Sequence, residues 1–144
     1  MVSAEAAGLL AEEVCLGALV DTPGSVPQVL LLHRSPDRSN FLGQWDVPGG
    51  HVEPGETVEE TLVRELGEEI AVRPKKWQLL GQVTTRTYLG LAPLIVNLFV
   101  ITDWEGLPEN RQSDEHDQLT WFPLDEARQR LADWWAPNLI ALLP

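Results

Sequence analysis

Cationic residues are scarce in this chain. Ten Lys and Arg stand against 22 Asp and Glu, for a formal net charge of −12 and a sequence pI near 4.5. That balance excludes the basic footprint on which duplex nucleic-acid binding rests. A phosphate-rich ligand would also be repelled unless it arrived with a metal ion. Cysteine is nearly absent: Cys15 stands alone, cannot form an internal disulfide, and reads as a buried thiol in a reducing compartment. Long apolar runs are missing too. The stretch 14–20 is too short to span a bilayer, and the first thirteen residues carry Glu5, Glu12 and Glu13 without Lys or Arg. Neither a membrane span nor a signal peptide is therefore expected. The 144 residues contain no internal repeat, low-complexity tract or interdomain linker. The expectation is one cytoplasmic domain over 1–144, long enough for a real core and either a monomer or a homodimer.

What is present alternates between strand-like and helix-like segments. Residues 14–20 and 29–33 are apolar and β-branched, and Asp21-Thr22-Pro23-Gly24-Ser25 between them is turn-rich, so a hairpin is predicted. Ser35 to Asn40 reads as a polar loop, and Pro48-Gly49-Gly50 as an irregular stretch before a helix over 57–69. In that helix Val58, Leu62 and Leu66 recur every four residues and give it one apolar side. Further strands are expected at 77–86, 94–102 and 119–122. A helix follows near 125–133, and a shorter one after Pro137. The class is mixed α/β.

The opposite side of the 57–69 helix is acidic. Glu65, Glu68 and Glu69 fall at i, i+3 and i+4, where like charges repel by ~0.2–0.5 kcal/mol per pair. Glu68 and Glu69 also lie near the negative end of the helix dipole, where a carboxylate is poorly placed. Fold stability alone does not explain such a cluster, whereas a divalent cation would remove the repulsion. The spacing around it is specific: Gly50, five residues, Glu56, seven residues, then Arg64-Glu65-Leu66-Gly67-Glu68-Glu69-Ile70-Ala71-Val72. Together with the lead-in Trp45-Asp46-Val47-Pro48-Gly49-Gly50, this resembles the Nudix box of the Nudix hydrolase superfamily. One position departs from the pattern. Ala71 replaces a glycine that commonly takes a left-handed conformation after the helix, at a cost to alanine on the order of 1 kcal/mol.

The resemblance implies an α/β/α sandwich with a mixed β-sheet and a loop-helix-loop catalytic motif. It further implies metal-dependent hydrolysis of a nucleoside diphosphate linked to another moiety, with Mg2+ as cofactor and Mn2+ as a substitute. Glu65, Glu68 and Glu69 would be the carboxylate ligands, joined by the Gly49 carbonyl. Arg64 belongs to the same catalytic motif and would pair with Glu56 to fix the helix against the loop. Glu115, ahead of Trp121, matches a late-loop carboxylate serving as general base or further ligand; a merely solvated acidic loop is the competing account. His33, His51 and His116 are too scattered for a zinc site, and ordinary hydrogen bonding is expected of each.

For the substrate, Asp103-Trp104-Glu105-Gly106 and Ala136-Pro137-Asn138 resemble the MutT-like branch, which cleaves oxidised purine nucleoside triphosphates to the monophosphate and pyrophosphate. Asn138 would then read a base edge, since an amide donates and accepts together. A helix cap is its alternative role. Arg34 matches a phosphate-contacting arginine. Tyr88 lies roughly where dinucleoside polyphosphate hydrolases carry a tyrosine, which keeps those substrates open; ADP-ribose is a further alternative within the superfamily. A non-catalytic nucleotide sensor would usually show a degraded glutamate set, and here the set is intact.

Overall fold

A computed structural model of the chain describes residues 12–34, 45–86, 93–113 and 115–131. Its elements are β1 (Glu12–Asp21), β2 (Gln28–Arg34), β3 (Trp45–Asp46), β4 (Gly49–His51), α1 (Val58–Ile70), β5 (Arg73–Arg86), β6 (Pro93–Glu105), β7 (His116–Pro123) and α2 (Leu124–Arg130). The predicted loop from Ser35 to Asn40, the short helix after Pro137, and Tyr88 and Asn138 lie outside the described residues.

Strand β1 organises the rest. Its side chains alternate, with Val14, Leu16, Ala18 and Val20 in one core cluster and Cys15 and Leu19 in the other. Both faces are covered, which is why the segment reads as one apolar run rather than as an alternation. β1 pairs in parallel with β6 from Glu12 against Leu94 to Leu19 against Ile101, and antiparallel with β4. The predicted hairpin with β2 exists only at its turn end, as the pairs Val20–Val29 and Asp21–Gln28. Beyond them β2 leaves β1 and pairs with β3, while its other edge pairs with β7 from Gln28 to Arg34. The sheet is therefore mixed, in the order β3-β2-β1-β6-β5, with β4 and β7 branching from β1 and β2. β5 begins at Arg73, ahead of the expected start, because bulges around Lys76 carry the pairing with β6 past Pro74.

Helix α1 starts at a complete capping box. Thr57 Oγ1 accepts from Glu60 N at 3.1 Å, and Glu60 returns the bond to Thr57 N at 3.2 Å. Its Leu62, Leu66 and Ile70 are fully buried against Cys15, Leu19, Phe99 and Ile101. Gly17 permits this approach: a Cβ there would sit 2.8 Å from the methyls of both Leu62 and Ile101. The helix ends at Ala71 with φ 62°, the left-handed conformation in which the family pattern places glycine. On the other face of the sheet, Leu124, Ala127 and Leu131 pack with Val29, Leu31 and Phe122. Among the described residues one helix packs on each face, as expected of the α/β/α sandwich.

Candidate active site

Two glycines bring strand and helix together. A Cβ at Gly49 would collide with the Cys15 carbonyl, and one at Gly50 would fall on the carboxyl of Glu65. Gly17 N donates to the Pro48 carbonyl at 2.8 Å and holds the irregular Pro48-Gly49-Gly50 stretch beside β1. The Glu65 carboxylate therefore lies directly over the backbone of β4.

Arg64 fixes this loop to the helix. Its Nε donates to Glu56 Oε2 at 2.7 Å, and its Nη2 donates at 3.0 Å to both Glu56 Oε1 and the His51 carbonyl. Thr61 Oγ1 and Glu53 N also donate to Glu56, at 2.6 and 3.1 Å. The bond from Arg64, then those from Thr61 and Glu53, hold the Glu56 carboxyl down at about 2. Glu56 in turn raises the Arg64 guanidinium further above its ordinary value. The remaining nitrogen, Nη1, reaches Glu65 at 2.8 Å and Glu68 at 3.3 Å.

The three box glutamates occupy graded depths. Glu68 is half exposed, Glu65 is largely covered, and Glu69 is 4% exposed. Glu69 Oε2 accepts from Gly49 N at 3.2 Å, and its Oε1 lies 3.6 Å from His116 Nε2. Burial pushes the Glu69 carboxyl well above the usual carboxylate range, against the Gly49 bond, and the charges of Glu65, Asp46 and Glu115 add to the rise. Burial raises Glu65 as well, opposed by Arg64 and assisted by Glu68 and Glu115. These side chains line a cleft of about 470 Å³ with Gly49, Arg34, Asp46, Gln112, Glu115 and His116.

Of the residues expected at the site, Arg34, Gly49, Arg64, Glu65, Glu68, Glu69 and Glu115 thus share one cleft, whereas Tyr88 and Asn138 fall outside the described residues. Among the described residues, no three acidic, histidine or cysteine side chains converge as a ready-made ligand set. Like charge spreads the carboxylates, and Arg64 holds Glu65 and Glu68 to itself. The donor set nevertheless fits a hard divalent cation: it consists of oxygen ligands, the deepest of which is a carboxylate destabilised by its own burial and neighbours. Asp46 had no role assigned from the sequence, and His116 was expected only to make ordinary hydrogen bonds. Asp46 is buried, its Oδ1 accepting from Val47 N at 2.8 Å, and its place in the lead-in before Pro48 was a usable signal. His116 is buried beside Glu69, and only its adjacency to Glu115 pointed there.

Comparison with known proteins agrees with this geometry. The NUDIX domain family model matches residues 14–143. The nucleoside triphosphatase NudI of Enterobacter sp. (strain 638) is 36% identical over 101 residues, covering 64% of this chain and 70% of that protein. The CTP pyrophosphohydrolase of Escherichia coli (strain K12) is 29% identical over 116 residues, covering 79% of this chain and 78% of its own. A MutT NUDIX hydrolase from Burkholderia pseudomallei superposes with a TM-score of 0.77 at 24% identity, over 94% of this chain and 99% of that one. A family match over residues 14–143, on a fold that gathers the box glutamates at one cleft, makes this chain a member of the NUDIX family of hydrolases.

Proposed function

We propose that the protein hydrolyses a nucleoside triphosphate to the monophosphate and pyrophosphate, in a reaction that depends on Mg2+ or, in its place, Mn2+. The observation that carries this reading is the cleft itself, which Glu65, Glu68, Glu69 and Glu115 line together with Arg34. The relatives named nucleoside triphosphatase and CTP pyrophosphohydrolase support the substrate class.

Glu65, Glu68, Glu69 and the Gly49 carbonyl would hold the cation. When bound, it supplies positive charge to the phosphate oxygens and lowers the pKa of a coordinated water. The chain's own groups do the rest. Arg34 meets the phosphate chain and offsets the charge that the leaving pyrophosphate gains. Glu115, facing the cleft from the loop before β7, takes the proton of the attacking water or completes the ligand set. Arg64 and Glu56 touch no reacting atom; their pairing holds the carboxylate-bearing helix in register with the Gly49-Gly50 backbone. Burial of Glu69 keeps bulk water from competing for its oxygens.

The test is a substrate panel of purine and pyrimidine nucleoside triphosphates, oxidised dGTP, ADP-ribose and dinucleoside polyphosphates, with pyrophosphate and phosphate release measured separately. Pyrophosphate release from a triphosphate, abolished by chelation, is the expected result. Cleavage of ADP-ribose or a dinucleotide alone, or turnover that survives chelation, would overturn it.

A further inference from the structure

The chain between β6 and β7 is bound to the end of α1 by its own backbone. Glu109 N donates to the Ile70 carbonyl at 2.9 Å, and Arg111 N to the Glu69 carbonyl at 3.0 Å. Both carbonyls belong to the last helical turn, where no partner exists within the helix. Asn110 lies between these anchors, partly buried, and its side chain spans the loop. Its Nδ2 donates to the His116 carbonyl at 2.6 Å, while its Oδ1 accepts from Gln112 N at 3.2 Å. The Gln112 carbonyl then accepts from both Glu115 N and His116 N at 2.9 Å. The loop is triangulated in this way: the end of α1 fixes residues 109 and 111, Asn110 ties them to His116, and Glu115 and His116 face the cleft with Glu69.

The backbone links demand no particular side chain. The Asn110 link does, because it needs a donor and an acceptor on one short planar group. We propose that Asn110 is a positioning residue of the hydrolytic site, setting where Glu115 and His116 stand relative to Glu69. This rests on the reading of Glu115 as a working carboxylate of the cleft. Placement matters at that range: a shift of about 1 Å at a reacting group costs on the order of a hundredfold in rate.

The experiment compares the full-length chain with Asn110→Ala, which removes both bonds, and with Asn110→Asp. The Asp variant keeps the acceptor for Gln112 N and sets a carboxylate oxygen against the His116 carbonyl. Turnover with Mg2+ on the best triphosphate of the panel is read together with amide hydrogen exchange. Both variants are expected to lose about tenfold or more in kcat, with KM changed by no more than about twofold. Exchange at Glu115 and His116 should accelerate about tenfold, while Leu62 and Leu66 in α1 stay protected. A lower melting temperature with wild-type kcat per folded molecule would reduce Asn110 to a structural residue and overturn the proposal. Unaltered exchange at Glu115 and His116 in both variants would do the same. If Asn110→Ala does not fold, Asn110→Asp, which keeps the Gln112 bond, decides the matter. Exchange needs no turnover, so a wild type that cleaves nothing in the panel would sink the functional reading while the exchange result still decides the placement.

Discussion

Replacing Glu69 by Gln should stabilise the metal-free protein and inactivate it at once. Glu69 is 4% exposed, stands in the last turn of α1, and has Glu65 one helical turn away. A carboxylate at a helix C-terminus is disfavoured by ~0.3–1 kcal/mol, and a like-charge i,i+4 neighbour adds ~0.2–0.5 kcal/mol. Desolvation of an ion this deep costs several kcal/mol more, partly offset by the charge-assisted bond from Gly49 N at 3.2 Å. Gln keeps the shape and the acceptor for Gly49 N while removing the charge, and it ends the repulsion from Glu65, Asp46 and Glu115. The net gain is about 2 kcal/mol, which for a chain of this size corresponds to a rise in Tm of ~4–8 °C. Turnover should fall at least about a hundredfold, since a ligand charge is lost. Magnesium then reverses the order. At a hundred times its Kd a bound ion stabilises the native state by ~2.7 kcal/mol, an increment that wild type gains and the variant largely loses. The assay is thermal unfolding of both proteins in chelator and in excess Mg2+, with turnover measured in parallel. A Glu69→Gln protein that melts below wild type in chelator would refute the reasoning, because Glu69 would then be a structural acceptor rather than a destabilised ligand.

Gly50→Ala places a methyl group on the Glu65 carboxyl, so kcat should fall about tenfold or more with only a modest change in Tm, read by turnover and thermal unfolding together. Wild-type kcat in that variant would show that Glu65 does not need its present position. Glu56 titrates at about 2 when folded, below its ordinary value, so its pairing with Arg64 contributes stability that is fully present above about 4.5. That contribution is lost as pH falls from there through about 2; urea unfolding from pH 6 to pH 2 should decline less steeply for Glu56→Gln than for wild type, and parallel curves would remove Glu56 from the acid response.

The local elements were legible because they depend on spacing along the chain. The four-residue recurrence of Val58, Leu62 and Leu66 specifies α1 to within a residue of its observed bounds. The resemblance to the box also implied Arg64 as the partner of Glu56, and the two side chains meet at 2.7 Å. Ala71 shows the limit of such reading. Its substitution for glycine leaves the left-handed turn in place, since the backbone bond from its N–H to the Leu66 carbonyl and the packing of Val72 hold the chain there.

Long-range pairing was not legible, because nothing local distinguishes one buried apolar strand from another. The sequence turn between β1 and β2 implies a full hairpin, yet β2 shares only the last two residues of β1: further back the same edge of β1 pairs with β4, and its other edge pairs along its length with β6, 82 residues further along the chain. The same holds for the cleft. By itself the sequence determined which carboxylates sit on one helix face and that fold stability alone does not explain them. Only the tertiary structure decided that Glu69 is the buried one, that Asp46 and His116 stand beside it, and that Asn110 ties the Glu115 loop to the end of α1. Burial and cross-chain hydrogen bonds are properties of elements packed together, and no spacing within a single element encodes them.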